Sequence, residues 1–453
     1  MSIFTIFGST GDLTYRKLLP ALTNLKKTGK LNGGSKILCI GRRDWDTAMY
    51  IKSAKEHSVA DISSIEDMIE YVKVDLGSED DFDALSSHIQ SLNQDNHVFY
   101  LALPPSLFPK VASGLYRSNL VIKGDFNQRV VFEKPFGEDL ESAKKINQLL
   151  WQYFDEEQIY RIDHYLGKEM IQNILALRFA NRIFESDWHK DSIEKVRILV
   201  KEEDGVGTRG GYYDSIGAMR DMVQSHLLQM LALTAMEAPK TYDAKSIRKE
   251  KVSLLNKLTI EPTDVIKGQY EGYKQETKVS PESTTETFVQ LKAFIDDSRW
   301  RNVPFYLITG KKLDNKASEI IIDFKPGDKS DCLWPTDDLY NNQLIIKVAP
   351  EEGMSFRMNV KESGLDSDII PSTMEYVHGK DAFGNVPEAY EKLLLEILNK
   401  NPMLFARWDE IETTWKFTEM VRNMNQDPPI IYKDESDLKA KLSTMNQGGT
   451  LND

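Results

Sequence analysis

A short polar segment in the first half of the chain combines side chains that can bind an anion with side chains that can move a proton. The segment reads Arg161-Ile162-Asp163-His164-Tyr165-Leu166-Gly167-Lys168-Glu169. A strand-like run from Gln158 to Ile162 precedes the polar residues, and Gly167 opens a helical pattern of apolar residues. The polar residues are therefore expected where a strand ends and a helix begins.

The predicted helix start favours anion binding, because backbone N–H groups point outward there and attract negative charge. His164, Tyr165 and Lys168 add side-chain donors at the same place. This combination suits a phosphate group, whereas Asp163 is better suited to orienting a histidine. A solvated loop is the alternative explanation for such a polar run.

A second candidate for proton transfer is His226, which lies in a long helix predicted from Gly217 to Met236. The apolar side of this helix is wide enough to belong to a core, and His226 lies where the polar part passes into the apolar part. A lone histidine at such a position is more often a hydrogen-bonded core residue than a catalytic one. The helix alone leaves both interpretations open.

The size and charge of the chain limit its architecture and its partners. With 453 residues it is long enough for two or three domains. The formal net charge of −13 argues against nucleic acid or an anionic membrane as the main partner. An anionic substrate therefore needs a local basic pocket.

Cysteine content and hydropathy indicate a cytoplasmic protein. Cys39 and Cys332 each lie in an apolar neighbourhood, which fits a reducing compartment with no disulfide framework and no metal site of the zinc type. No apolar run approaches the length of a membrane span. The first residues, Met1 to Ile6, have no signal-type flank or cleavage site, so they are interpreted as a strand.

The N-terminal region has the pattern of a Rossmann-type dinucleotide-binding domain. A strand from Ile3 to Phe7, a glycine turn, a helix and a strand from Lys36 to Gly41 form a βαβ unit. The turn has the spacing G-x-x-G and consists of Gly8, Ser9, Thr10, Gly11, Asp12 and Leu13. This spacing alone is a weak signal, because a tight strand-to-helix turn also produces it.

Arginines at the end of the second strand favour NADP over NAD. NAD-binding folds tend to place Asp or Glu there for the ribose hydroxyl. This chain has Arg42 and Arg43 instead, and guanidinium groups suit the 2′-phosphate of NADP. Asp44 follows, but one or two positions late.

Two further strands are expected to end at the same edge of the sheet. The apolar runs Val98–Leu103 and Val130–Glu133 indicate buried parallel strands. Ligands bind outside the carboxyl ends of such strands. Lys134 is therefore expected in the crevice between cofactor and substrate, with an ordinary surface lysine as the alternative.

From about Thr287 the pattern changes to short strands joined by turns, which is typical of an α+β domain with an antiparallel sheet. We predict strands at Phe288–Ile295, Val303–Thr309, Glu319–Phe324, Gln343–Val348 and Met354–Val360, and helices at Pro387–Leu398 and Glu410–Met424. The predicted fold class is α/β plus α+β. A Rossmann-type domain is expected at residues 1–165, and a substrate and dimerisation domain at residues 166–453. We expect a homodimer through the C-terminal sheet.

These segments resemble the glucose-6-phosphate dehydrogenase family. The segment from Arg161 to Glu169 resembles that family's signature, and further segments resemble the family in the right order. They are Tyr100–Pro105, Glu133–Gly137, Leu177–Asn181 and Arg220–Met230. The resemblance covers nearly the whole chain. The long signature is highly specific, and the Gly8/Gly11 turn is not.

The resemblance implies oxidation of β-D-glucose 6-phosphate at C1 to the 1,5-lactone, with NADP as hydride acceptor. This is the first oxidative step of the pentose phosphate pathway. In the family pattern His226 corresponds to the general base and Asp163 to its partner. The chemistry fits, because an imidazole can remove the C1 hydroxyl proton near neutral pH and a carboxylate can fix its tautomer.

The resemblance also implies the ligand residues. Those for the cofactor are Gly8, Ser9, Thr10, Gly11, Asp12, Leu13, Arg42, Tyr100 and Lys134. Those for glucose 6-phosphate are Lys134, His164, Tyr165, Lys168, Glu202, Asp221, Lys311 and Lys316. Carboxylates such as Glu202 and Asp221 suit sugar hydroxyls because they accept several hydrogen bonds.

Two other kinds of protein compete with this interpretation. Sugar oxidoreductases of the Gfo/Idh/MocA type also pair a dinucleotide domain with an open sheet and place an E-K-P lysine at the site. They would explain Lys134 but not the phosphate cluster. A regulatory NADP-binding protein without catalysis would predict a damaged site, whereas His226, Asp163 and Lys168 are intact.

Overall fold

The computed structural model describes residues 1–326, 334, 339–365, 368–379, 388–445 and 451. Cys332, the predicted helix start at Pro387 and nearly all of the tail beyond Met445 lie outside the described residues. Cys39 lies inside them, and its thiol is free and buried.

Strands occur throughout the chain, and we number them in chain order. They are β1 (Ser2–Phe7), β2 (Lys36–Gly41), β3 (Ile69–Lys73), β4 (Asn96–Leu101), β5 (Gln128–Phe132), β6 (Ile159–Ile162), β7 (Ile193–Lys201), β8 (Leu258–Thr259), β9 (Val265–Tyr270), β10 (Phe288–Ile295), β11 (Phe305–Gly310), β12 (Ala317–Phe324), β13 (Gln343–Ala349), β14 (Gly353–Lys361), β15 (Ile369–Val377), β16 (Phe405–Ala406) and β17 (Ile430–Tyr432).

The α-helices are numbered in the same way. They are α1 (Leu19–Lys27), α2 (Thr47–His57), α3 (Glu79–Ser91), α4 (Phe108–Arg117), α5 (Leu140–Tyr153), α6 (Glu169–Phe179), α7 (Arg182–Glu185), α8 (Gly210–Ala218), α9 (Leu228–Ala235), α10 (Ala244–Leu255), α11 (Ala389–Leu398), α12 (Trp408–Met424) and α13 (Glu435–Thr444). Two π-helices run over Thr14–Leu18 and Met219–Leu227, and a 3₁₀-helix over His164–Gly167.

The first compact unit comprises residues 1–168, 239–249 and 387–412. Its sheet has the strand order β16-β6-β5-β4-β1-β2-β3. Strands β1 to β6 are parallel, and β16 pairs antiparallel with β6 at the edge. The predicted Rossmann-type architecture is confirmed.

Continuous apolar strands build a core on each face of this sheet. In β4, Val98 and Tyr100 belong to one core cluster, and Phe99 and Leu101 belong to the other. Successive side chains of a strand point to opposite faces, so a parallel strand covered on both sides must be apolar throughout. This burial fixes the strands in place and leaves their carboxyl ends together at one edge.

The second compact unit comprises residues 169–238, 250–386 and 413–453. Its main sheet has the order β15-β14-β13-β12-β7-β11-β10-β9-β17. Most neighbours are antiparallel, as predicted, but β7 pairs with β11 in parallel, and so does β9 with β17. The mainly antiparallel C-terminal sheet is confirmed.

Two parts of the second unit differ from the sequence prediction. The helix predicted from Gly217 to Met236 begins two residues later than predicted, after a break at Gly217 with φ +72°, and its first half is a π-helix that continues directly into α9. Strand β15 was not predicted. Nearly all of its residues are exposed, so it lacks the alternation of apolar and polar residues that identifies a half-buried strand.

The compact units are discontinuous in sequence, because short C-terminal and central segments join the first unit. The predicted boundary between residues 165 and 166 therefore stays a prediction. Within the described ranges, every helix is too short or too polar to cross a membrane.

Candidate active site

The turn after β1 is built around a glycine that no other residue can replace without strain. Gly8 has φ +82°, and a Cβ there would lie 2.3 Å from the carbonyl oxygen of Ala102. The amide of Gly11 donates to the oxygen of Gly8 at 3.0 Å. The close backbone packing leaves no room for a side chain at Gly8, which suits the close approach of a dinucleotide pyrophosphate to the backbone.

The other predicted residues of this turn differ in accessibility. Ser9 is fully buried, and its hydroxyl donates to the oxygen of Ile40 at 3.0 Å. Thr10 and Leu13 are half-buried and Asp12 is exposed. Ser9 therefore holds the turn against β2, and Thr10, Asp12 and Leu13 remain accessible to a ligand.

Arg42 and Arg43 directly follow β2, and both are exposed. The Arg43 guanidinium lies over the ring of Trp45, 4.5 Å from its centroid. Among the described residues, Arg42 has no ion-pair partner. The structure thus gives the neighbouring arginines different surroundings, and Arg42 is the one available to a phosphate.

The end of β5 carries a buried carboxylate beside Lys134. The hydroxyls of Tyr100 and Tyr390 both donate to Glu133, the second at 3.1 Å. Burial raises the pKa of Glu133, although these hydrogen bonds and the charge of Lys134 oppose the rise. Tyr100 is fully buried, so its side chain supports Glu133, and its predicted contact with the cofactor stays a prediction.

Lys134 is half-buried, and the peptide bond between it and Pro135 is cis. The residue follows β5 after Glu133, at the same sheet edge as the Gly8 turn and Arg42. The structure therefore brings these predicted residues to the carboxyl ends of neighbouring parallel strands, where such sheets bind ligands.

The polar segment after β6 forms a 3₁₀-helix whose first turn Asp163 caps. The Asp163 carboxylate accepts from the amide of Tyr165 at 3.0 Å, and the residue is only 5% exposed. The Lys168 ammonium lies 4.5 Å from the centroid of the Tyr165 ring. The helix predicted to open at Gly167 begins at Glu169 instead, because the tighter 3₁₀ turn occupies residues 164–167.

In the second unit, Glu202 and Lys311 form an ion pair. They directly follow β7 and β11, which are parallel neighbours with Lys201 opposite Gly310. The Lys311 side chain is 6% exposed, and a buried ammonium is tolerated only with such a partner. Two residues far apart in sequence therefore meet at one sheet edge.

Lys316 lies at the same edge, because it directly precedes Ala317, the β12 residue that pairs with Lys201. Lys316 is exposed. Its position is compatible with the predicted sugar-phosphate contact, which stays a prediction.

Sequence reasoning missed Tyr213, which belongs to the same group of side chains. The Lys311 ammonium lies 5.1 Å from the centroid of its ring. Burial, followed by the charges of Asp221 and Glu286, raises the pKa of Tyr213. Its place after a glycine-rich stretch was the available signal, but a single tyrosine there has no distinctive sequence pattern.

Asp221 and His226 lie on the π-helix Met219–Leu227. His226 is 1% exposed, and Asp221 is half-buried. A π-helix has hydrogen bonds from residue i to i+5 and often occurs at functional sites. Asp221 and His226 are therefore about one turn apart.

Comparison with known proteins agrees with this geometry. Residues 5–173 match the model of the glucose-6-phosphate dehydrogenase NAD-binding domain, and residues 175–448 match the model of the C-terminal domain of the same enzyme. The chain belongs to the glucose-6-phosphate dehydrogenase family. It is an oxidoreductase with a dinucleotide-binding domain.

Individual members of this family are similar along most of their length. Glucose-6-phosphate 1-dehydrogenase of Streptococcus pneumoniae is 39% identical over 93% of this chain and 90% of its own. Glucose-6-phosphate 1-dehydrogenase 6, cytoplasmic, of Arabidopsis thaliana is 38% identical over 93% of this chain and 85% of its own. A solved structure of glucose-6-phosphate dehydrogenase in complex with its substrate has a TM-score of 0.91 at 33% identity and covers 99% of this chain and 98% of its own.

The first prediction concerns the Gly8 turn. Gly8→Ala should weaken dinucleotide binding about tenfold or more, because the added Cβ would clash with the Ala102 carbonyl and distort the turn that is proposed to hold the pyrophosphate. Gly29→Ala is the matched control. Gly29 also has a positive φ, +71°, but has open space around its Cβ position. It should cost about 1 kcal/mol of stability and leave binding unchanged. Dissociation constants from nucleotide fluorescence titration measure both, and equal constants for the variants would contradict the prediction.

Proposed function

We propose that the chain oxidises β-D-glucose 6-phosphate at C1 to 6-phospho-D-glucono-1,5-lactone with NADP, the first oxidative step of the pentose phosphate pathway. The observation that carries the proposal is the match of both domains to one enzyme family, with the phosphate-binding segment intact after β6. The solved relative with glucose 6-phosphate bound supports the substrate.

His226 is the general base in this proposal. It takes the proton of the C1 hydroxyl while the hydride leaves C1. NADP, when bound, would accept that hydride. Asp163 pairs with His226, fixes its tautomer and stabilises the imidazolium. The low exposure of both side chains, 1% for His226 and 5% for Asp163, supports this role, because buried side chains hold a defined orientation.

The cofactor would be held by the residues at the strand ends of the first unit. The turn from Gly8 to Leu13 provides the pyrophosphate site, and the tight packing at Gly8 fits that group. Arg42 would pair with the 2′-phosphate, and Lys134 would contact both cofactor and sugar. Tyr100 would contribute through its support of Glu133.

The sugar phosphate would be bound by two groups of side chains. His164, Tyr165 and Lys168 bind the phosphate, and the contact of Lys168 with the Tyr165 ring orients the ammonium before the substrate arrives. The residues assigned to the sugar are Glu202, Asp221, Lys311 and Lys316. The paired charges of Glu202 and Lys311 offer both an acceptor and a donor to neighbouring hydroxyls.

Variants of the base and of the phosphate lysine should affect different kinetic constants. His226→Asn should lower kcat about 100-fold or more and leave the substrate KM near its original value, because only proton transfer is lost. Lys168→Ala should raise the KM for glucose 6-phosphate about tenfold or more, because a charge-assisted hydrogen bond is removed.

Initial rates of NADP reduction, followed by near-ultraviolet absorbance, measure both effects, and glucose in place of glucose 6-phosphate is the control substrate. Near-normal turnover of His226→Asn would remove His226 as the base. An unchanged KM of Lys168→Ala would remove Lys168 from the phosphate site. No reduction by the unmodified chain would reject the proposed function itself.

Arg42 should determine the preference for NADP over NAD. Arg42→Ala is expected to lower kcat/KM for NADP by about 10-fold to 100-fold, because the 2′-phosphate loses a charge-assisted partner. The value for NAD, which lacks that phosphate, should change by less than about twofold. Arg43→Ala is the adjacent control, because its guanidinium lies over Trp45. Equal losses with both cofactors would contradict the assignment.

We also propose a cytoplasmic homodimer that forms through the C-terminal sheet. The cytoplasmic relative from Arabidopsis thaliana supports the location.

The edge strand β15 supports the interface, because it exposes Ile370 (38%), Met374 (55%), Tyr376 (50%) and Val377 (49%). Exposed apolar side chains on an edge strand commonly mark a surface that another copy covers. Neither nucleic acid nor membrane is expected as a partner.

A charge at the centre of β15 should dissociate this dimer. Met374→Glu would place a carboxylate in the apolar contact and shift the chain toward monomer. Met49→Glu on α2 is the control, because Met49 is similarly exposed at 54% but lies on the other unit. Sedimentation velocity over a concentration series measures the distribution. A Met374→Glu chain that stays dimeric would place the interface elsewhere.

A further inference from the structure

The start of the π-helix that carries Asp221 and His226 lacks a cap of its own. The residue before it, Ala218, has no side-chain acceptor, and no side-chain hydrogen bond caps it. The first N–H groups of a helix need acceptors, and a buried amide without one is costly. An acceptor must therefore come from another part of the chain.

Glu286, distant in sequence, supplies that acceptor. The amide of Met219, the first residue of the π-helix, donates to its carboxylate at 3.0 Å. The amide of Ala218 donates to the Glu286 carbonyl oxygen, also at 3.0 Å. Gly217 has φ +72°, and a Cβ there would lie 2.5 Å from the Glu286 carboxylate. The backbone before the helix thus passes directly beside this side chain.

The next residue, Thr287, holds a second part of the proposed substrate site. Its carbonyl oxygen accepts from the amide of Lys311 at 3.0 Å, and its hydroxyl accepts from the amide of Tyr270 at 2.9 Å. Glu286 and Thr287 therefore tie the π-helix to the backbone of Lys311.

We propose that Glu286 is a positioning residue for the dehydrogenase reaction, because it fixes the first turn of the π-helix and thereby the placement of Asp221 and His226. This inference rests on the proposed function. Glu286 does not touch the reacting atoms in this proposal. It acts through the Met219 amide and through the conformation at Gly217.

A carboxylate suits this position for two reasons. It accepts hydrogen bonds only, and its negative charge is favourable at the positive end of a helix. Burial raises the pKa of Glu286, while the hydrogen bond from Met219 and the charges of Arg422 and Arg220 oppose the rise. The carboxylate serves the helix start through an acceptor oxygen that lies within hydrogen-bond distance of the Met219 amide.

A polar cavity of about 370 Å³ opens beside this carboxylate. Its lining includes Arg220, Lys267, Thr284, Thr285, Glu286 and Arg422. The Lys267 ammonium donates to the oxygen of Asn425 at 3.0 Å. The cavity is large enough for a formate ion, and its cationic side chains favour an anion. A missing Glu286 carboxylate can therefore be replaced from solution.

Three substitutions of Glu286 distinguish the position of its acceptor oxygen from its negative charge. Glu286→Ala should lower kcat about tenfold or more and leave the KM for NADP within about twofold, because the predicted cofactor residues lie in the other unit. Glu286→Gln keeps an acceptor oxygen at the same reach and should retain kcat within about threefold. Glu286→Asp keeps the charge but is one methylene shorter, so it should lose about as much as Glu286→Ala. Thr284→Ala, on the same cavity wall, should keep full activity.

Chemical rescue gives a readout that a purely structural role would not change. Sodium formate should raise kcat of Glu286→Ala about threefold or more in a saturable manner, whereas sodium chloride at equal ionic strength should not. The unmodified chain should not respond to formate. Circular dichroism and the thermal midpoint, measured in parallel, report folding separately.

The outcomes distinguish this inference from the proposed function. If Glu286→Ala is folded and its kcat stays within about twofold of the original, the inference is rejected. If Glu286→Ala does not fold, the comparison of kcat between Glu286→Gln and Glu286→Asp tests the inference instead. Equal kcat values for these two variants reject it. A chain that reduces no NADP with glucose 6-phosphate before any substitution rejects the proposed function instead.

Discussion

The parallel pairing of neighbouring strands is the constraint on which both groups of predicted site residues depend, one group in each compact unit. Parallel strands end at the same edge of a sheet, so residues that follow them meet there regardless of their separation in sequence. In the first unit this edge gathers the Gly8 turn, Arg42, Lys134 and the segment from Asp163. In the second unit, where most neighbouring strands are antiparallel, the parallel pair of β7 and β11 brings Glu202 next to Lys311.

Buried charges then hold these strand ends in defined positions. The Lys311 side chain is nearly inaccessible, and so is Arg161, whose guanidinium binds Glu156 at 2.5 Å and Asn147 at 2.6 Å. An ion pair of this kind adds little net stability, because desolvation opposes the Coulomb attraction. Loss of one partner, however, leaves an uncompensated buried charge. The arrangement thus favours one geometry over its alternatives more than it raises overall stability.

The sequence predicted the strands and turns that a local pattern of apolar and polar residues identifies. Apolar runs predicted β1, β2, β4 and β5, and the polar signature predicted the turn after β6 in which the proposed phosphate residues lie. Residues Met219–Leu227 were predicted as part of an ordinary helix, because the apolar pattern of the sequence does not distinguish a π-helix from an α-helix. Strand β15 has no alternation. The contacts of Glu286 could not be predicted, because its partners lie far away in sequence and no local signal marks them.

An acidic chain must rely on short-range interactions to bind the two proposed anionic ligands, glucose 6-phosphate and NADP. The net charge of −13 repels glucose 6-phosphate and NADP at a distance, but ions screen this repulsion over about 8 Å at physiological ionic strength. Within that distance the proposed contacts are local, namely Arg42 for one phosphate and Lys168 with His164 for the other. Because Tyr165 already orients Lys168, little further ordering is needed on binding. Local geometry, rather than the overall charge, therefore determines which anions the chain accepts.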